Sequence, residues 1–176
     1  MRKLKTHELS RLNPAHFQVT KKHPFVVVLD NIRSAHNVGA AFRIADAFLV
    51  EKLYLCGITA CPPHREIHKT SLGAESHIVW EGGADTSMVL QQLKQEGYYV
   101  VGLEQTDISK SLATFSYQER QKYALVFGHE VFGVQEEVLA ACDLHLEIPQ
   151  YGVKHSLNVS VSMGVVLWEL VKKYYK

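Results

Sequence analysis

The chain has 176 residues, of which 47% are hydrophobic and 21% are charged, and its formal net charge is +1 at pH 7. This length suits one domain with a sizeable core, and this composition excludes an intrinsically disordered protein. The longest apolar runs fall short of the ~20 residues that cross a bilayer, so we expect no membrane partner.

The first 22 residues form a basic leader with six Lys or Arg and one acidic residue. Three lysines between 172 and 176 make the other end basic as well, whereas residues 23–171 carry a net charge of −7. Basic ends on an acidic body suggest contact with a phosphate backbone, although charge alone favours the simpler interpretation of two solvated termini. No apolar stretch follows Met1, so we expect no secretory signal. We predict a short leader over 1–22, with one or two helical turns, and one domain over 23–176.

From residue 24 the chain alternates strand and helix patterns. Short apolar runs rich in β-branched residues are typical of strands buried on both faces, and apolar residues three or four apart indicate helices. The alternation predicts a single α/β domain whose mostly parallel, six-stranded sheet is covered by helices. The predicted strands cover 25–29, 52–55, 77–80, 98–103, 123–127 and 144–148. The predicted helices cover about 38–49, 86–96, 134–142 and 156–175, with Asp85 or Thr86 as the cap of the second. The apolar stripe of the last helix is Leu157, Val161, Gly164 or Val165, Trp168 and Val171.

Three polar loops that contain glycine follow three of these strands, over 30–39, 128–133 and 149–158. Ligands bind beyond the carboxyl ends of the strands in an open α/β sheet, so these loops predict a functional site. The chain lacks the Gly-x-Gly-x-x-Gly, P-loop and Gly-x-Ser-x-Gly patterns. A Rossmann dinucleotide site is therefore unsupported, and a P-loop and a nucleophile elbow are excluded.

Five polar residues in or near these loops are candidates for chemistry. Arg43 lies in an otherwise apolar helix and needs a partner, which a phosphate would provide. Asn37 either caps that helix or turns toward the strand ends, and Arg43 can reach back to the same rim. Glu130 stands between two glycines that allow a ligand to approach closely. Ser156 is a natural N-cap of the last helix, although a helix start with Ser156 and Asn158 also suits a ligand.

Cysteine and histidine suggest a second kind of site. Cys56, Cys61, His64 and His68 have a spacing that resembles a zinc site. Apolar packing at the end of a strand explains Cys56 better, so we predict no metal. The three cysteines of the chain make no even disulfide framework, and we predict a protein of the reducing cytoplasm.

Taken together, the three loops resemble the motifs of the SpoU, or TrmH-type, family of RNA 2′-O-ribose methyltransferases in the SPOUT superfamily. The resemblance covers about residues 24–172, with the motifs in family order. The matching segments are 29–31, 36–43 and 46–48, then 125–133, and then 148–152 and 156–162.

Four positions depart from the family pattern. His129 stands where Asn is common, and Gln150 stands where Met is common. Val131 and Phe132 replace a pair that is often small and acidic. These departures leave the RNA specificity open.

The resemblance implies a deep trefoil knot after the sixth strand, bound S-adenosylmethionine, and a homodimer whose active site is built partly by the second subunit. It implies 2′-O-methylation of a ribose in RNA, with transfer RNA ahead of ribosomal RNA, because the third motif and residues 102–107 look closest to members that act on transfer RNA. The long apolar face of the last helix also suits a dimer. The positions that match the donor-binding pattern are Leu103, Glu104, Gly128, Ile148, Gln150, Leu157 and Asn158. The catalytic candidates are Arg43, Asn37, Glu130, Ser156 and Asn158.

These candidates receive the following roles. A guanidinium is a poor base, so Arg43 would bind the RNA phosphate and stabilise the developing alkoxide. Asn37 would hold Arg43 or the nucleotide, and Glu130 would order its loop. Ser156 and Asn158 would position the nucleotide and the methyl donor.

Three alternatives belong to other functional classes. A catalytically idle RNA-binding module would use the same scaffold without methyl transfer. A flavodoxin-like enzyme would explain the α/β alternation and would carry a bound flavin. A zinc protein would use the cysteine and histidine cluster.

Overall fold

The computed structural model describes residues 1–118 and 121–175. Lys176, one lysine of the predicted basic tail, lies outside this part of the chain. The strands are β1 (His23–Asp30), β2 (Val50–Cys56), β3 (Trp80–Gly82), β4 (Tyr98–Leu103), β5 (Lys110–Ser111), β6 (Lys122–Phe127) and β7 (Leu144–Glu147). The helices are α1 (Pro14–Val19), α2 (Ala35–Ala47), α3 (Arg65–Ser71), α4 (Thr86–Gln95), α5 (Glu136–Ala140) and α6 (Val159–Val171).

The seven strands form one parallel sheet in the order β3-β2-β1-β6-β4-β7-β5. This confirms the predicted α/β architecture. The sheet has one strand more than the six expected, because β5 contains only two residues and is too short to leave a sequence pattern. It pairs with β7 through Lys110 opposite Leu146. The third strand lies at Trp80–Gly82 instead of 77–80.

Two apolar cores cover the two faces of the sheet. Along β1, Phe25 and Val27 face the core built with α2 and α6, whereas Val26 and Val28 face the core built with α4 and α5. Alternation within a continuously buried strand is typical of a parallel sheet covered on both sides. The sheet therefore lies between two helical layers.

One helix start agrees with the prediction and another, at the third polar loop, differs from it. Asp85 caps α4 as expected, since its side chain accepts a hydrogen bond from the N–H of Met88 at 3.1 Å. The last helix begins three residues later than predicted, and Asn158 is its N-cap instead of Ser156. The side chain of Asn158 accepts from the N–H of Ser160 at 2.9 Å, which leaves Ser156 outside the helix.

The apolar stripe predicted for α6 is mostly the exposed side of the helix. Its buried residues are Met163, Val166, Leu167, Leu170 and Val171. Of the predicted stripe, Val161, Val165 and Trp168 are 50%, 39% and 55% exposed. A helix that is apolar all round has no periodic signal to choose its buried face. The three exposed residues are named the α6 stripe below.

The basic leader folds against the domain. It contains the helical turns predicted for it, as α1, and Phe17 of α1 is buried with its ring 4.9 Å from that of His77. The side chain of Gln18 donates to the carbonyl oxygen of His77 at 2.9 Å. Among the described residues, no helix is both long enough and apolar enough to cross a membrane.

Candidate functional site

A cavity of about 430 Å³ lies beyond the carboxyl ends of β4, β6 and β7. Four chain segments line it, at 103–105, 127–133, 146–150 and 156–162. Three catalytic candidates, Glu130, Ser156 and Asn158, line this cavity. The structure also brings all the predicted donor-binding residues to its wall, namely Leu103, Glu104, Gly128, Ile148, Gln150, Leu157 and Asn158.

The cavity lining is partly apolar and carries negative charge. The apolar part of the wall consists of Phe127, Leu146 and the predicted donor-binding residues Leu103, Ile148 and Leu157. Glu104, Glu130 and Glu147 supply carboxylates, and no lysine or arginine belongs to the lining that the structure describes. Field lines concentrate in such clefts, so this wall favours a ligand with positive charge and disfavours a phosphate.

Glu130 joins the three predicted loops at the mouth of the cavity. Its carboxylate accepts hydrogen bonds from the N–H groups of Arg33 and Ser34, each at 3.0 Å, and from the side-chain amide of Asn37 at 2.8 Å. The amide of Asn158 in turn donates to Oδ1 of Asn37 at 3.1 Å. One candidate from each loop, Asn37, Glu130 and Asn158, thus belongs to one connected set, named the loop junction below.

The junction keeps Glu130 ionised. Burial by itself would raise the pKa of this carboxyl, but the hydrogen bonds from Asn37 and from backbone N–H groups, including those of Arg33 and Ser34, bring its pKa below the ordinary value of 4.5. A carboxylate that accepts several N–H bonds is stabilised in its charged form. At neutral pH the junction therefore carries a fixed negative charge.

The turn after β6 favours glycine at two positions, through close backbone contact at Gly128 and through backbone conformation at Gly133. A Cβ at Gly128 would lie 2.2 Å from the backbone nitrogen of Val134, and a Cβ at Gly133 would lie 2.1 Å from Oε2 of Glu104. Gly133 also has a φ of +69°, which favours glycine. Oε2 of Glu104 accepts from the N–H of Val134 at 3.1 Å, so this predicted donor-binding residue also fixes the turn.

Of the catalytic candidates, Asn37 and Arg43 do not line the cavity, and only Arg43 also lacks a contact with the loop junction. Arg43 lies exposed on α2, in a groove with Ala47, Lys69 and Thr70. Six residues along an α-helix turn the side-chain direction by about 240°, so Arg43 points away from the side on which Asn37 meets Glu130. The suggestion that Asn37 holds Arg43 finds no contact within the described chain, because the amide of Asn37 bonds Glu130 instead.

Sequence reasoning missed Asp30 as an organising residue. Its carboxylate is fully buried and accepts from the hydroxyl of Thr86 at 2.6 Å and from the side-chain amide of Asn31 at 3.1 Å. The amide of Asn31 also donates to Oε1 of Gln135 at 2.9 Å, and its Oδ1 accepts from the N–H of Ile58. A charged residue at the end of a continuously apolar strand is the sequence signal that could have found it.

The cysteine and histidine cluster does not form a ligand set. Within the described ranges, no three His, Cys, Asp or Glu side chains are placed to hold a metal ion. Cys56 is fully buried, and burial raises the pKa of its thiol to about 12. Burial also raises the pKa of Cys142 to about 12. Thiols of this kind are inert, as expected for packing residues.

Comparison with known proteins agrees with this geometry. The model of the SpoU rRNA Methylase family matches residues 24–168. The 23S rRNA (guanosine-2′-O-)-methyltransferase RlmB of Nitrosomonas europaea is 32% identical over 149 residues, which cover 85% of this chain and 56% of that protein. The chain spans about three fifths of the curated relatives it matches first, from 56% to 61% of three of them.

Two solved structures share the fold over most of this chain. An AdoMet-bound rRNA methyltransferase from Sinorhizobium meliloti has a TM-score of 0.80 and 25% identity, with coverage of 87% of this chain and 57% of that one. A chain described in connection with the 2-OH methylation of C/U34 on tRNA has a TM-score of 0.73 and 25% identity, with coverage of 86% and 96%.

Proposed function

This chain belongs to the SpoU rRNA Methylase family, and from that premise we propose that it transfers a methyl group from S-adenosylmethionine to a ribose 2′-hydroxyl of RNA. The observation that carries the proposal is the loop junction. Asn37, Glu130 and Asn158 come from three distant parts of the chain and meet by hydrogen bonds of 2.8 and 3.1 Å beside the cavity. Such a junction fixes a donor cavity and an acceptor position relative to each other.

The cavity fits the proposed methyl donor. Its volume of about 430 Å³ lies within the range of small-molecule pockets. S-adenosylmethionine supplies a methyl group on a positively charged sulfur, and the carboxylates of Glu104, Glu130 and Glu147 suit that charge. Apolar walls suit an adenine ring. The same carboxylates disfavour the phosphate of a flavin nucleotide, which counts against the flavodoxin-like alternative.

The residues of the chain would position the methyl acceptor, the ribose 2′-hydroxyl, beside the methyl donor. Ser156 and Asn158 line the cavity and would hold the ribose and the donor side by side. Glu130 and Asn37 would keep the surrounding loops in place. A 2′-hydroxyl is present in RNA and absent from DNA, which makes RNA the substrate. The hydroxyl proton would pass to an RNA phosphate or to water, because the guanidinium of Arg43 is too weak a base.

We assign Arg43 to the active site of a second subunit. Its exposed position outside the cavity of its own chain is explained if it binds the RNA phosphate at the partner's cavity and stabilises the alkoxide there. The α6 stripe supports a homodimer, since three apolar residues at helical spacing remain 39% to 55% exposed. A two-fold dimer would place one Arg43 at each of two active sites.

Transfer RNA is the substrate we favour, and ribosomal RNA is the alternative. The third motif and residues 102–107 support transfer RNA through the resemblance described above. Of the similar proteins, the RlmB relative is named for 23S rRNA, and one solved chain is linked to C/U34 of tRNA. The basic leader would add phosphate contacts to either RNA. We place the protein in the cytoplasm.

We also propose the deep trefoil knot that the resemblance implies. Residues after β7 return to the cavity wall beside residues 103–105. The side chain of Gln105 donates to the carbonyl oxygen of His155 at 3.0 Å, so the two segments lie against each other. In the proposed knot, this contact would lie where the segment after β7 passes residues 103–105.

Methyl transfer from labelled S-adenosylmethionine to total RNA from cells that lack this protein tests the function. We expect incorporation of label, saturable donor binding by calorimetry, and a 2′-O-methyl site that disappears from the RNA of those cells. Donor binding without methyl transfer would support an idle RNA-binding module instead. Absence of donor binding would overturn the proposal.

A further inference from the structure

The loop between β6 and α5 exposes a phenylalanine at the rim of the cavity. Phe132 is 83% exposed, whereas the other six phenylalanines, all of them in the described part of the chain, are buried or half-buried. Its neighbours on both sides of the loop, Val131 and Gly133, line the cavity. An exposed aromatic ring loses the stabilisation of burial, so its place at a ligand site calls for an explanation.

The loop holds this ring in a fixed position. The N–H of His129 donates to the carbonyl oxygen of Gly133, and the N–H of Gly133 donates back to His129, at 2.9 and 2.8 Å. Nδ1 of His129 accepts from the N–H groups of Val131 and Phe132 at 2.9 and 3.4 Å. The rings of His129 and Phe132 lie 4.9 Å apart with an interplanar angle of 36°. A ring held in advance loses little freedom on binding.

We propose that Phe132, supported by His129, is a stacking platform for an unpaired base of the RNA substrate. This inference rests on the proposed function for the identity of the ligand. Glu130, two residues before Phe132, belongs to the loop junction. A base on the platform would therefore lie next to the nucleotide whose ribose enters the site.

The loop after β7 exposes a second aromatic ring, that of Tyr151, which is 98% exposed.

Base stacking restricts the class of substrate. Bases in an RNA helix are already stacked on each other and offer no free face, whereas bases in loops and bulges can stack on aromatic side chains. The platform therefore selects RNA in which the target ribose lies in or beside an unpaired segment. Charge alone would not make this selection, because paired and unpaired RNA both carry phosphates.

Binding of two short RNA probes tests the platform. The probes are a single-stranded ten-nucleotide oligoadenylate and an RNA duplex of the same length, measured with the full chain. We expect Phe132→Ala to weaken binding of the single strand by about 5- to 100-fold and to leave duplex binding unchanged. Phe132→Trp retains the affinity for the single strand. Phe132→Leu, which keeps apolar bulk without an aromatic face, behaves like the alanine variant.

Each other outcome overturns the inference. Equal losses for single strand and duplex would indicate a general contact, and wild-type affinity in Phe132→Leu would indicate apolar contact without stacking. Dissociation of dimers by Phe132→Ala, measured by light scattering, would assign the ring to a second copy of the chain. Methyl transfer by the wild-type protein is measured separately. If the wild type shows no methyl transfer but Phe132→Ala still weakens single-strand binding selectively, the proposed function is contradicted and the platform is not.

Discussion

At the scale of single residues, Glu130 is the most consequential side chain of the site. Its two oxygens receive three N–H donors from the start of α2, and Asn37 extends the connection to Asn158. None of these donors lies within 90 residues of Glu130 along the chain. The geometry of the candidate site therefore depends on one half-buried charge and its partners.

Replacement of Glu130 by Gln tests the junction. Both oxygens of Glu130 accept hydrogen bonds, whereas one side of a glutamine amide is an N–H₂ group that cannot accept. At least one hydrogen bond of the junction is therefore lost, and the loops separate. We expect kcat to fall by about 100-fold, because small misplacements near reacting groups are costly. The affinity for the methyl donor, measured by calorimetry, changes less than kcat. Glu136→Gln, an exposed change at the start of α5, is the control and retains wild-type activity.

The same residue predicts a pH dependence of stability. The pKa of Glu130 is lowered in the folded protein, so its carboxylate stabilises the folded state above the ordinary value of 4.5. This contribution is lost as the pH falls from 4.5 through the lower folded-state pKa. Unfolding free energies between neutral and acidic pH should therefore decline more steeply in the wild type than in Glu130→Gln. Parallel curves for the two proteins would contradict the assignment.

Arg43 makes a different prediction, since it lies outside the donor cavity. Arg43→Ala should abolish methyl transfer while calorimetry still detects donor binding of wild-type strength. Arg65→Ala, which removes an exposed arginine of α3, is the matched control and should not abolish activity. Near-normal turnover by Arg43→Ala would show that another group binds the phosphate.

At the scale of elements, the packing of α2 on α3 depends on Gly39. A Cβ at this position would lie 2.5 Å from the backbone oxygen of Ile67 and 2.0 Å from Oγ1 of Thr70. The backbone atom cannot rotate away, so the two helices would have to separate.

Gly39→Ala should therefore destabilise the protein despite the better helix propensity of alanine. We expect a loss of about 1–3 kcal/mol in the free energy of unfolding, measured by chemical denaturation. Gln91→Ala on the exposed side of α4 is the control for an alanine in a helix and should change stability little. An unchanged unfolding midpoint in Gly39→Ala would mean that α3 can shift without cost.

The helix α6 shows why an element needs more than its own sequence. Its buried side packs on the core with Met163 and Leu167, while Val165 and Trp168 remain exposed. Both sides are apolar, and in the homodimer proposed above the partner subunit would cover the second side.

At the scale of the whole molecule, mixing of two inactive variants tests the shared active site. Arg43→Ala lacks the proposed phosphate-binding group, and Asn158→Ala lacks part of the loop junction. In a random mixture half of the dimers contain one of each, and each such dimer regains one complete site. We expect about a quarter of wild-type activity if Arg43 acts across a two-fold interface. No recovery would indicate that Arg43 serves its own chain.

The basic leader predicts a salt dependence of RNA binding. The logarithm of the RNA affinity should fall linearly with the logarithm of the salt concentration, because protein contacts with phosphates release counterions from the RNA. The double variant of Lys3→Ala and Lys5→Ala should flatten this slope by about two, since each phosphate-binding lysine contributes about one. Lys94→Ala is the control, because Nζ of Lys94 already pairs with Asp143 at 2.8 Å. Equal slopes for all three proteins would remove the leader from the RNA contact.

The sequence predicted much of the architecture because local patterns carry it. Continuous apolar runs marked β1, β4 and β6, and Asp85 marked the start of α4. The family resemblance also came from three short motifs, and the family match over residues 24–168 confirms it. The two-residue β5 was invisible, since its only reason to be extended is its pairing with β7.

The sequence by itself determined which polar residues stand after buried strands, and therefore which residues were candidates. Only the tertiary structure decided which of them meet: Asn37 bonds both Glu130 and Asn158, whereas Arg43 lies elsewhere. It also decided which side of α6 is buried and what surrounds Asp30. The physical reason is that spacing along a chain fixes the direction of a side chain only within its own helix or strand. A hydrogen bond between segments about 90 to 120 residues apart depends on how those elements pack.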